Sequence, residues 1–208
     1  MSARDDILAG IRARRVSNAP RPPLYRAPTR SGDLATQFAA QAAAVHAEIT
    51  VLEHASDIPQ AIANILRSKN LPAIVHVPDG SALGGLPWEH APGLTVERAA
   101  PGPDDAALAE ADFGIAETGT LAYFAKAGAP ASWHFRPGLE IAVVHAETIM
   151  PHMENALAQA GVLPHTVNFV SGPSRTGDIE QTLELGAHGP KALAILIVKS
   201  APASVGSG

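Results

Sequence analysis

Three short stretches hold most of the residue types that can do chemistry. The first is Ser171-Gly172-Pro173-Ser174-Arg175-Thr176-Gly177-Asp178-Ile179-Glu180, the second Gly186-Ala187-His188-Gly189-Pro190, the third Glu117-Thr118-Gly119-Thr120. In the first, Gly172 and Gly177 permit backbone angles and close approaches that a Cβ would block. Ser174 and Thr176 add hydroxyl donors, and Arg175 can grip a carboxylate or phosphate with two parallel bonds. The polarity reads as a loop after an apolar strand (166–170) and before a helix that opens near Thr176 to Asp178. A helix opening there would turn unpaired amides toward an anion. The same Ser, Thr, Asp and Gly residues also suit an ordinary N-cap loop, with Arg175 reaching only a surface acid.

Glu117 is the stronger candidate acid, because it stands beside glycines in a separate turn. His188 sits in a turn of restricted backbone close in sequence to the first stretch. It can titrate near neutral pH and donate to a carboxylate, or simply bond a nearby carbonyl. Glu117-Thr118-Gly119-Thr120 reads either as a hairpin turn, with Gly119 supplying the unusual backbone angle, or as a strand end that displays Glu117 and Thr118 into a crevice. Asp178, Glu180 and Glu184 fall on the first turns of the expected helix, where the dipole accounts for the first two. There are nine histidines, but their spacing is no metal signature. His145 and His152 bracket a strand-to-helix turn. The remainder read as isolated surface or core residues. No Walker loop, G-x-G-x-x-G, HExxH or G-x-S-x-G is present.

The elements that must position these groups alternate. Helices are expected over 33–48, 57–69, 104–110 and 147–160, the last stopped by Gly161. Strands are expected over 49–52, 73–77, 95–98, 139–144 and 192–199. The 192–199 segment is nearly all apolar, as for a strand buried on both faces. Residues 78–93 are loop, with Trp88 as anchor. Alternation of this kind predicts an α/β fold around a mostly parallel sheet. Ligands of such sheets sit beyond the carboxyl ends of the strands.

Before residue 32 lie an amphipathic helix (2–15) and a linker carrying Pro20, Pro22, Pro23 and Pro28 with Arg21, Arg26 and Arg30. The helix is an arm for a partner subunit or lies on its own domain. Residues 201–208 read as a frayed tail. At 208 residues one domain is the default. The net charge of −5 argues mildly against nucleic acid. With no cysteine, this chain by itself makes no disulfide, thiolate nucleophile, cysteine zinc site or iron–sulfur cluster. The amino-terminal segment lacks the apolar core of a secretory signal, and no run reaches the ~18 apolar residues of a membrane span. A soluble, cytoplasmic protein is expected.

The stretches ADFGIAETGT, NFVSGPSRTGDIE and LGAHGP, in that order, resemble the LUD domain of the lactate-utilisation protein C family, over roughly residues 32–200. Gly177 stands where that pattern usually has alanine. The resemblance implies a three-layer α/β/α sandwich of the NagB/RpiA/CoA-transferase-like kind. It implies a role in L-lactate oxidation to pyruvate, as a cluster-free subunit with no cofactor of its own. The iron–sulfur clusters would belong to partner subunits. It supplies no catalytic residue. The roles given to Glu117 and His188 (proton handling) and to Thr118, Gly119, Thr120, Gly172, Ser174, Arg175, Thr176 and Asp178 (binding a small carboxylate or phosphate) come from residue chemistry. The alternatives are a non-catalytic sensing or scaffolding module, and a stand-alone enzyme acting on a phosphosugar, acyl-CoA or folate.

Overall fold

The computed structural model describes residues 3–14, 20, 23, 25, 28–130, 132–162, 164–177, 183–185 and 189–200. Helix α1 (Ala3–Ala13) buries none of its residues, and Ile7 and Ile11 stay exposed. Helix α2 (Leu34–Ala44) starts where Asp33, in extended backbone, accepts a hydrogen bond from the Ala35 amide, the expected N-cap geometry. Strand β1 (Glu48–His54) leads to α3 (Ile58–Ser68), whose Ile58, Ile62 and Leu66 recur at helical spacing and are buried. Pro59 is tolerated in its first turn, where no amide hydrogen is needed. Two short strands follow, β2 (Ile74–His76) and β3 (Thr95–Glu97).

Then come β4 (Ala106–Glu110), β5 (Phe113–Ile115), β6 (Thr120–Phe124), the single turn α4 (Ser132–Phe135) and β7 (Leu139–His145). The chain continues through β8 (Ile149–Met150), α5 (Met153–Ala160), β9 (Val167–Val170), β10 (Arg175–Gly177), β11 (Leu183–Leu185) and β12 (Ala192–Ser200). The main sheet runs β1-β12-β7-β4-β2-β3 with every pair parallel. A smaller sheet, β8-β5-β6-β9, is antiparallel except for β5 with β8.

Strand periodicity divides the interior into two cores. Along β12, Leu193, Ile195 and Ile197 enter one cluster, while Ala194, Leu196 and Val198 enter the other. The first cluster also takes Phe38 and Ala42 from α2 with Leu121, Tyr123, Ile149 and Val170 from the small sheet. The second takes Ile58, Ile62 and Leu66 from α3. The molecule is therefore layered as α3, main sheet, then α2 with the small sheet. Each fully buried Ile or Leu contributes roughly 1.5–3 kcal/mol relative to exposure, which is why the all-apolar β12 lies inside.

Three sequence expectations fail. Residues 104–110 are not a helix; Ala106–Glu110 is β4, paired with β7 and with β2. Its Ala and Leu favour helix locally, but burial on both faces selects the strand. The helix expected from 147 is broken: a turn and β8 come first, and only after Pro151 does α5 run to Gly161, whose φ is +66°. No helix opens at Thr176; the part of that expectation that falls on 178–182 lies outside the described residues. Arg175–Gly177 is a strand, pairing antiparallel with Leu183–Leu185, so Glu184 lies on β11 and not on a helix. The unpaired helix amides expected for anion binding are absent at Arg175–Gly177.

Candidate functional site

Strands β5 and β6 form a hairpin in which Ile115 faces Thr120, so Glu117-Thr118-Gly119 is its turn, the first of the two readings. The Gly119 amide closes the turn on the Ile115 carbonyl at 2.9 Å. Gly119 has φ +66°, and a Cβ there would lie 2.2 Å from the Ala42 amide nitrogen of α2. Strand β9 runs beside β6 with Val170 opposite Leu121, which brings Ser171 next to Thr120. A chain of hydroxyls results: Thr118 to Thr120 at 2.6 Å and Thr120 to Ser171 at 2.6 Å. Gly172 follows with φ +74°, pressed against the Val45 carbonyl at the end of α2.

Two of the sequence stretches therefore meet at one end of the small sheet. Part of the other joins them: the Ser174 amide donates to the Pro190 carbonyl at 2.9 Å, and buried Gly189 packs against Ser174. Arg175 is exposed on β10, and Thr176 follows it on the same strand. Asp178 and His188 lie outside the described residues.

Glu117 has a partner that its sequence neighbourhood did not reveal. His152, only 3 % exposed, donates from Nδ1 to Glu117 Oε2 at 2.9 Å and from Nε2 to the Pro28 carbonyl at 2.6 Å. Both ring nitrogens face acceptors, so the ring is satisfied only as imidazolium. The Glu117 hydrogen bond raises the His152 pKa against the opposing effect of burial, and the His152 hydrogen bond lowers that of Glu117. The His152 contribution to stability is complete below its ordinary value of 6.5 and is lost as pH rises through the folded value. The Glu117 contribution is complete above 4.5 and is lost as pH falls through its lowered value. The pair thus stabilises most between these limits. In an NMR titration the His152 ring should show a midpoint above 6.5 that drops in Glu117→Gln; a midpoint at or below 6.5 would break the assignment.

A second polar group lies at the carboxyl ends of β2, β4 and β7. A cavity of about 220 Å³ opens there, walled by Pro78, Leu83, Ala109, Gly128, Pro130 and Trp133, with Glu110, Lys126 and His134 as its charged or titratable members. Glu110 closes β4 and His145 closes β7, and His145 Nε2 faces Glu110 Oε1 at 3.3 Å. That bond pulls the Glu110 pKa down and pushes His145 up; Lys126 further lowers Glu110. Lys126 pairs with Asp112 at 2.7 Å.

Beneath the cavity, fully buried Glu140 accepts from the Tyr123 hydroxyl at 2.7 Å and faces His134 Nδ1 at 3.2 Å. The Tyr123 and His134 rings stack at 3.7 Å. Sequence reasoning gave none of these groups a functional role. The one available signal was position: Glu110 and His145 end strands of a parallel sheet, where ligands collect. The hairpin turn and Lys126 lie beyond opposite ends of β6, about 17 Å apart at the rise of a five-residue strand.

The parallel sheet with these turns defines the class of protein. Residues 104–198 match the LUD domain model, which takes in the chain from β4 into β12 and both polar groups. Over that span the chain is similar to the LUD domain. It is similar to the lactate utilization protein C of Geobacillus kaustophilus, 36% identical over 98 residues (44% of this chain, 41% of that protein). Lactate utilization protein C of Shouchella clausii is 34% identical over 100 residues (45% of this chain, 44% of that protein). The match spans about two-fifths of the length of these relatives. The fold is that of a DUF162 family protein from Deinococcus radiodurans, with a TM-score of 0.59 at 24% identity over 82% of this chain and 99% of that one.

Proposed function

We propose that this protein is a component of an L-lactate utilisation system, a cluster-free subunit that works with iron–sulfur partners in the oxidation of lactate to pyruvate. The observation that carries the reading is the 36% identity over 98 residues to a lactate utilization protein C. Oxidation requires an electron acceptor. The chain has no cysteine to ligate a cluster, so electrons pass to groups on other subunits. A small carboxylate or phosphate is the ligand at Ser171–Thr176, with exposed Arg175 as its clamp and Glu117 as the candidate acid. The charge-assisted bonds of Arg175 supply most of that affinity. The proposed location is the cytoplasm; no described helix is long and apolar enough to cross a membrane.

The test is lactate-dependent dye reduction by the reconstituted system with the native chain, without it, and with Arg175→Ala. Activity is expected to need the chain and to fall at least tenfold with Arg175→Ala, about 1.4 kcal/mol or more of lost stabilisation. Activity that needs the chain but tolerates Arg175→Ala makes it a scaffold. Activity unchanged without the chain removes the lactate reading.

A further inference from the structure

The cavity at the sheet edge is separate from the Arg175 loop, and it carries a chemistry of its own. We propose that it binds a small hydroxy acid, with Lys126 meeting the carboxylate, Glu110 accepting the hydroxyl hydrogen, and Trp133 and His134 forming a fixed wall.

Size comes first. A volume of about 220 Å³ equals the share of roughly seven water molecules in the liquid, which suits an acid of three to six carbons. The walls come next. Pro78, Leu83, Ala109 and Pro130 give apolar surface, into which only a few polar groups converge, the usual make-up of a small-molecule site.

Those polar groups are of opposite sign. The Lys126 ammonium has three hydrogens, of which the bond to Asp112 Oδ1 takes one. The Glu110 carboxylate has about four acceptor positions, and His145 engages it at Oε1 alone among the bonds described. Together they offer a cation and an acceptor in the same cavity. A simple carboxylate would satisfy the first and leave Glu110 facing its methyl groups; a hydroxy acid satisfies both.

The wall is preorganised from below. Glu140 lies inside the core with no exposure, and its Oε2 has no hydrogen-bond partner among the described residues. Burying such a group is costly, and its Oε1 does one identifiable thing: it holds Tyr123 and His134 in place. With Nδ1 of His134 turned to Glu140, the ring has a set orientation, and His134 is also a cavity wall. A site fixed by a buried carboxylate loses little freedom on binding.

Taking L-lactate as the first probe rests on the function proposed above; the charges and volume of the cavity do not. The chain has two tryptophans, so Trp88→Phe leaves Trp133 as the only indole, inside the cavity wall. L-Lactate is expected to change its emission saturably. Propionate, which lacks the hydroxyl, and lactamide, which lacks the carboxylate, should each bind at least tenfold more weakly. Lys126→Met and Glu110→Leu should each weaken lactate at least tenfold, and the surface control Lys199→Met should not.

Saturation-transfer NMR on the chain with both tryptophans repeats the comparison if Trp88→Phe folds poorly. Lack of saturable binding by either method, equal binding of propionate, or full binding in Lys126→Met overturns the proposal. Loss of binding with Arg175→Ala in place of Lys126→Met moves the ligand to the loop and overturns it equally. The dye-reduction assay can fail while Trp133 still reports lactate, so the two readings fall separately.

Discussion

Replacing Gly119 by alanine is expected to lower the unfolding free energy by about 3 kcal/mol or more, a loss large enough to unfold a marginal domain. Two costs combine. An alanine held at φ +66° gives up about 1–2 kcal/mol. Its Cβ would also lie 2.2 Å from Ala42 N, 2.5 Å from Gln41 C and 2.6 Å from Ala42 Cα. These are backbone atoms of α2, and α2 cannot yield cheaply because Phe38 and Ala42 are fully buried in the first core. Gly172→Ala should behave alike, with its Cβ 2.2 Å from the Val45 carbonyl at φ +74°.

The control is Gly161→Ala. Gly161 has the same φ of +66° with nothing within 4 Å, so only the backbone cost applies. Urea melts of the three variants give the comparison. If Gly119→Ala costs no more than Gly161→Ala, the hairpin turn does not rest on α2, and the meeting of the two turns loses its support.

Glu140→Ala is the second large effect, with an expected loss of about 3–5 kcal/mol, the usual result of removing one partner from a buried charged network. The substitution leaves the Tyr123 hydroxyl and the His134 ring without their acceptor, each 5 % exposed or less. Glu140→Gln keeps an acceptor oxygen at nearly the same volume and should recover more than half of the loss. A near-neutral Glu140→Ala would mean that neither bond holds. The network has an optical signature as well. Burial, and then the charge of Glu140, push the Tyr123 phenol well above its ordinary value of 10.0. Ultraviolet titration should therefore leave one of the two tyrosines un-ionised until the protein unfolds.

Much of the architecture is legible in the residues themselves. The spacing of Ile58, Ile62 and Leu66 defines α3, Asp33 begins α2, and the apolar run of β12 marks a strand covered on both sides. The alternation of these elements carries the α/β class, and the order of the three polar stretches carries the LUD resemblance that the match over 104–198 bears out. These signals are local: periodicity, caps and turn residues act within a few positions of one another, so the chain specifies them before it is folded.

Tertiary structure decided the rest. Ala106–Glu110 has no strong local preference against helix; it is a strand because β7 and β2 flank it and both faces are covered. Arg175–Gly177 is a strand because Leu183–Leu185 pairs with it. Glu117 and His152 are 35 residues apart, as are Glu110 and His145, and each pair exists only because strand pairing within its own sheet brings the strand ends and turns together. Composition fixes which groups a chain owns; sheet order, a long-range property that no short stretch encodes, decides which of them meet.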